Sequence, residues 1–271
     1  MKTKVEGILI RKTPYKDRHL IGELLLRSGR KVSVIFYGGQ GGGKKQKSTV
    51  LEIGHLISVE LGRSRSTQQL QQAKEWRATW THESIRLNHQ AFYLMCAYCE
   101  LMQKIADEEA LHDKNQDFDR AHEGLFKVLS NGLFYLDKRA LVRSLDLHSE
   151  FMIFVGKLLI DLGVFPVRDT CVFCGEDVTE DESLFLMADH GGFSCRDCFD
   201  KANEQLQHGV KRGIDNGREL WGFLGVVANQ RYQDLNDLKC QDRALADQLF
   251  HFLCYQFQWS KSDFKSISMI L

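Results

Sequence analysis

The chain has 271 residues, 43% of them hydrophobic and 17 of them phenylalanine, which excludes a disordered or fibrous protein and allows more than one domain. No apolar run reaches the roughly 18 residues a membrane helix needs, and the Met1–Glu6 start lacks a signal-peptide pattern, so a cytoplasmic protein is expected. The net charge of zero hides an asymmetry: residues 1–80 hold 16 Lys+Arg against 6 Asp+Glu, or +10, leaving 20 against 30, or −10, for residues 81–271. A basic segment joined to an acidic one predicts that the first binds a polyanion.

Residues 4–12 read as a first strand, closed by Thr13-Pro14-Tyr15. A second runs from Leu20 to Arg27 and ends at the turn pair Ser28-Gly29. The third, Arg30 to Tyr37, sets Val32, Val34 and Phe36 on one face and Lys31, Ser33 and Ile35 on the other. The fourth covers His55 to Leu61. The fifth, around Thr67 to Trp76, is more polar and suits a sheet edge. Five short strands in about 75 residues predict a small closed barrel of the OB type; strand count alone fits an SH3-like barrel nearly as well.

Between strands three and four, Gly38, Gly43 and Lys44 match the start of the phosphate-loop pattern, but Lys45 stands where a magnesium-binding hydroxyl is required. No helix pattern follows. The segment is read instead as a lysine-tipped loop suited to gripping a phosphate backbone without base contacts. Phe36 or Tyr37 at the neighbouring strand end could add base stacking, or either could belong to the core.

From about Thr81 the period changes to helical. Ile85, Phe92, Met95, Cys96, Cys99 and Met102 share a face, with Thr81 or Ser84 as the candidate cap. Cys96 and Cys99 fall inside this helix and are read as core. Leu125 to Leu136 mark a second helix, and a third is predicted from about Lys138 to Leu162, stopped by Gly163. Helices over Glu219–Asn229 and Arg243–Trp259 follow, with Cys240 and Cys254 read as core.

Between these helices lies the most specific signal. Cys171-x-x-Cys174 and Cys195-x-x-Cys198, twenty residues apart, have the spacing of a four-sulfur zinc ribbon. Gly175 follows the first pair, where a metal knuckle often needs positive φ. Leu184–Met187 and His190–Phe193 suggest a short hairpin leading back to the second pair. One structural Zn2+ per chain is expected, since four sulfurs leave no open coordination position. Two disulfides would need an oxidising compartment, which nothing in the sequence suggests.

No G-x-S-x-G elbow, H-E-x-x-H helix or intact nucleotide loop occurs, so a binding protein rather than an enzyme is expected. The fold class is α+β and multidomain: an OB-type barrel over 1–80, then a helical domain over 81–271 with a zinc-bearing segment at 168–200.

Several stretches carry a family resemblance: Glu6-Gly7-Ile8-Leu9-Ile10-Arg11 with Pro14-Tyr15, Ser28-Gly29-Arg30, and the basic glycine loop. Further on come Phe151-x-x-Phe154, Leu158-Leu159-x-x-Leu162-Gly163-x-x-Pro166 and Cys171-x-x-Cys174-Gly175. In this order they resemble the RecO family of bacterial recombination mediators. Phe264-Lys265-Ser266 resembles that family's Leu-Lys-Ser-Arg ending, with Ile267 in place of the arginine. The resemblance implies binding of single- and double-stranded DNA, ATP-independent annealing, and help in loading RecA onto DNA coated with single-strand-binding protein. It also implies RecR and the acidic tail of single-strand-binding protein as partners, and a location at the bacterial nucleoid. Carried onto this chain, the DNA-binding positions are Arg11, Lys12, Arg30, Lys31, Lys44, Lys45 and Lys47. Lys138, Arg139 and Arg143, a close basic cluster in the central helices, are candidates for the acidic tail. A zinc-ribbon nuclease and an OB-plus-zinc protein scaffold remain as alternatives.

Overall fold

The computed structural model describes residues 3–40, 50–62, 70–108, 123–141, 145–204, 217–240 and 242–271. The chain divides into two compact units, Met1–Arg143 and Ser144–Leu271.

The first unit is built on β1 (Thr3–Tyr15), β2 (His19–Leu26), β3 (Lys31–Phe36), β4 (Leu56–Leu61) and β5 (Leu70–Trp80), closed into one barrel in the order β1-β2-β3-β5-β4. Closure rests on two features. Strand β1 is long enough to pair with β2 through its second half and with β4 through its first. Strands β3 and β5 run parallel, with Val34 opposite Gln71. This connectivity is the OB arrangement, and it decides against the SH3-like alternative. It also corrects the fifth strand: β5 is no edge, since it is paired on both sides, to β3 and to β4. Its charged residues Lys74, Glu75 and Arg77 are exposed while Ala73 and Trp76 face the core. Strand β1 likewise does not close at Thr13 but runs on to Tyr15.

Leu9, Leu20, Leu24, Val32, Val34, Phe36, Ile57 and Val59 fill the barrel. Gly22 makes room for them, because a Cβ there would lie 2.8 Å from Leu9 and 2.9 Å from Phe36. Two faces of β1 to β3 are buried, not one. Ile8, Ile10, Leu25 and Ile35, on the outer side by strand alternation, are also shielded from solvent. Helix α1 (His89–Ile105) packs on β1. There Gln103 Nε2 donates to Ile10 O (2.7 Å), at a bulge where β1 slips register between Leu9 and Arg11. The compact unit therefore extends past residue 80, through α1 and α2 (Glu123–Arg139).

Neither Thr81 nor Ser84 caps α1. Asn88 does, its side chain accepting from the amides of Gln90 and Ala91. The preceding turn is capped from outside: Asp137 Oδ1, on α2, accepts from the amides of Glu83, Ser84 and Ile85 at 2.8–3.1 Å.

The second unit centres on α3 (Leu147–Asp161), which begins at the N-cap Asp146 and not near Lys138. Lys138 and Arg139 instead end α2, because the apolar period breaks between Leu136 and Leu145. Helix α3 is apolar on nearly all sides, from Phe151 to Val155 and at Leu158 and Leu159, as a helix enclosed by neighbours must be. It packs against α5 (Gly217–Asn229) and α6 (Arg243–Gln256). Gly163, at φ +70°, ends it as expected, with Val164 N donating back to Leu159 O. Cys240 and Cys254 are core residues here, and Cys99 is one in α1.

Candidate metal centre and nucleic-acid interface

Between α3 and α5 the chain forms a small subassembly: β6 (Leu184–Met187), β7 (Gly192–Cys195) and the short α4 (Arg196–Glu204). The hairpin expected from the sequence is present, with Leu184 opposite Cys195. Val172 N donates to Phe193 O (2.9 Å), which ties the first cysteine turn to β7. That turn closes by Gly175 N to Cys171 O (2.9 Å), with Gly175 at φ +76°. Cys195 ends β7 and Cys198 lies in the first turn of α4, so strand, helix start and turn each deliver sulfur to one place.

The four sulfurs of Cys171, Cys174, Cys195 and Cys198 all lie within 4.8 Å of one another. A tetrahedron with Zn–S bonds of about 2.3 Å has S···S edges of about 3.8 Å, so the cluster is the right size for one ion. None of the four is paired in a disulfide. Burial raises the Cys171 thiol, but the amides of Cys174, Cys195 and Phe173 outweigh it and bring the pKa down to about 6. Cys198 moves the other way, to about 12, through burial and the sulfurs around it. One thiolate forms readily; a full set needs a cation to offset the repulsion.

Around the centre, Phe185 and Phe199 stack at 3.7 Å with Met187 and Val172 packed against them. The segment also buries Val178, Leu184, Leu186 and Phe193 and packs on α5 and α6, so a metal here would cross-link the two cysteine turns beside a core shared with those helices. Cys96 and Cys99 lie on α1 in the other unit, where burial raises both thiols.

The basic residues of the barrel are spread out. Arg11 is exposed on the outer side of β1 and pairs with Glu23 at 3.3 Å. Lys12, on the opposite side of the strand, pairs with Glu52 at 2.8 Å beside a cavity of about 460 Å³ lined by Pro14, Leu20, Gly39, Gln40 and Leu51. Arg30 is half-buried. Lys31 ties the barrel to the C-terminal end of α1, where its Nζ donates to Gln103 O (2.7 Å) and its amide to Asp107 O (2.7 Å). Lys44, Lys45 and Lys47 lie outside the described residues, as does Arg143. Of the stacking candidates, Phe36 is core and Tyr37 is exposed.

On α2, Lys138 Nζ lies 4.3 Å from the Phe134 ring and Arg139 5.8 Å from that of Tyr135, so the two cations flank a partly exposed aromatic pair. Near the C-terminus, Phe264 packs against Phe250 and Trp259, and Ile267 is buried. An arginine at 267 would place its charge in that core.

Sequence reasoning passes over Tyr15 and His19, reading the first as the end of a strand. The available signal is the β1 alternation, which continues across Pro14. Among the described residues no helix is long and apolar enough to cross a membrane.

A five-stranded OB barrel followed by a helical unit with a four-cysteine cluster able to hold a metal ion defines the class of protein. No family model matches the chain. Comparison with curated proteins supports the RecO family. The chain is 28% identical over 200 residues to the DNA repair protein RecO of Bacillus cytotoxicus, covering 72% of this chain and 70% of that one. It is 27% identical, over the same shares, to proteins of that name from Bacillus cereus B4264 and Bacillus anthracis CDC 684.

Proposed function

We propose that the chain acts in DNA repair and recombination as a mediator: it binds single- and double-stranded DNA and anneals complementary strands without ATP. In this reading it also helps load RecA onto DNA coated with single-strand-binding protein, in the bacterial cytoplasm at the nucleoid. The observation that carries the reading is the similarity to proteins named DNA repair protein RecO, joined to an OB barrel. The +10 charge of residues 1–80 supports it, because neutralising phosphates is the main source of affinity for DNA. Arg11, Lys12, Arg30 and the Lys44, Lys45 and Lys47 loop would supply the contacts, with Lys31 contributing less because of its bond to α1. The barrel of residues 1–80 is the DNA-binding domain in this scheme.

The cysteine cluster would hold one structural Zn2+. RecR and the acidic tail of single-strand-binding protein are the proposed protein partners, the tail near Lys138, Arg139 and Arg143. No catalytic group is assigned. Labelled complementary strands incubated with the protein, without ATP, test the proposal. Faster annealing supports the mediator, degradation points to a nuclease, and absence of both leaves a protein-binding scaffold.

A further inference from the structure

Three rings lie in a row at one end of the β1–β2–β3 sheet. Tyr15 sits directly opposite His19 across the hairpin, and the His19 ring meets that of Tyr37 edge to face at 4.8 Å. Strand alternation puts the row on the outer side, since the neighbours Leu20 and Phe36 point into the barrel core. Tyr15 is 37% exposed and Tyr37 48%. A single exposed aromatic is ordinary; two exposed tyrosines flanking a half-buried histidine in one row, at the ends of β1 and β2 and just past β3, are not.

The middle of the row is tied to the turn after β3. Gly38 N donates to His19 Nδ1 (3.2 Å), the Gln40 side-chain amide to His19 O (2.6 Å), and Gln40 N to Arg18 O (3.3 Å). Cations border it. Lys16 Nζ stands 5.3 Å from the centre of the Tyr15 ring, and Arg11 lies four residues before Tyr15 on the same face of β1. Farther down, α1 covers this face around Ile10 and Lys31. Along the outer side between the Arg11–Glu23 pair and the three rings lie Thr13, exposed, and Ile21, half-buried.

We infer that Tyr15, His19 and Tyr37 form a stacking platform for the unpaired bases of single-stranded DNA, with Arg11 and Lys16 meeting the flanking phosphates. This rests on the DNA-binding reading above and adds to it a preference and a place. Exposed aromatic rings can stack on any base, whereas a duplex keeps its bases stacked within itself and offers the row only phosphates. The row lies on the face of strands two and three that OB barrels commonly use for oligonucleotides. Arg11 and Lys16 at its border favour a nucleic acid over an apolar peptide.

The test compares wild type, Tyr15→Leu/Tyr37→Leu and Tyr15→Phe/Tyr37→Phe. Each is titrated over a range of salt with a 2-aminopurine-labelled single strand and with a duplex of equal length. The leucine pair should lose about tenfold or more of single-strand affinity and the quenching of the probe. It should keep duplex affinity and the salt slope, and the phenylalanine pair should behave as wild type. Should the leucine pair not fold, Tyr37→Leu alone, outside any strand, should lose several-fold with the same selectivity. Unchanged single-strand affinity, an equal loss for both probes, or a phenylalanine pair as weak as the leucine pair would overturn the platform while leaving DNA binding intact. A wild-type protein that binds neither probe at low salt would reject both.

Discussion

Substituting serine for Cys171 tests the metal centre at its most sensitive point. Structural zinc sites contribute about 10–16 kcal/mol of apparent binding free energy at neutral pH; shared among four ligands, one sulfur accounts for about 2.5–4 kcal/mol, on the order of a 10²- to 10³-fold weaker site. Cys171 should lie at the upper end of that range. It is 2% exposed, and its sulfur accepts from the Cys195 amide at 3.4 Å, so the shorter serine oxygen leaves a buried donor poorly matched as well as removing a ligand. Cys174 is exposed, and Cys174→Ser should be milder. Metal loss should also loosen the cysteine turns and the start of α4, which the four sulfurs join beside Phe185, Met187, Phe199 and Val172. The assays are metal content by mass spectrometry after dialysis against a graded chelator, and thermal unfolding of the same samples. Wild type should retain one zinc per chain, Cys171→Ser should lose it at far lower chelator and melt earlier, and Cys96→Ser should match wild type in zinc. Full zinc in a Cys171→Ser/Cys198→Ser double variant would refute the four-sulfur site.

Alanine at Lys44, Lys45 and Lys47 should weaken binding to all DNA sequences alike and flatten the dependence of log affinity on log salt by up to about 2–3 units; an unchanged slope would mean the loop does not touch DNA. Arg11→Ala should remove about one unit of slope with little effect on stability, whereas Lys31→Met should cost about 1–2 kcal/mol in denaturant unfolding through the lost bond to Gln103 O, and the reverse pattern would contradict these roles. Burial, with the neighbouring His82 and Arg86 adding to it, lowers the His55 pKa against the opposing pull of Val50 O and Glu52. The folded state then keeps His55 neutral while the unfolded chain takes up a proton near pH ~6.5. Stability should be complete above that pH and decline as pH falls below it, and a His55→Phe variant that declines equally steeply would exclude His55 as the cause. Alanine at Lys138, Arg139 and Arg143 should weaken binding of an acidic, aromatic-tipped peptide by about tenfold in a calorimetric titration, and unchanged affinity would move that site elsewhere.

The cysteine spacing is readable because a metal knuckle is local: four residues, one glycine at positive φ and a hairpin fix it, and each shows in the sequence. The barrel is readable for a related reason, since strand alternation at Val32, Val34 and Phe36 reports a buried face directly. What the pattern does not convey is partnership. The polar outward residues of β5 look the same in an edge strand and in a closed barrel, and only the parallel pairing with β3, distant in sequence, separates the two. The start of α1 escapes the pattern for a similar reason. Thr81 and Ser84 have the chemistry of caps, but the carboxylate that satisfies the turn's amides comes from Asp137, more than fifty residues on.

The same limit applies to the basic surface. Composition counts lysines without saying which are occupied, and Lys31, equal to Arg11 in any charge sum, is held by the end of α1. Outer-side burial on β1 follows from that helix. Ile8 and Ile10 are apolar where α1 packs on β1, while Arg11, Thr13 and Tyr15 continue the outer side as exposed residues. The change from isoleucine to arginine and tyrosine along β1 thus marks the boundary between the part of the barrel that faces its own helix and the part that faces solvent. On the open side of that boundary, exposed rings and exposed cations lie on one sheet face, as binding of a flexible single strand requires.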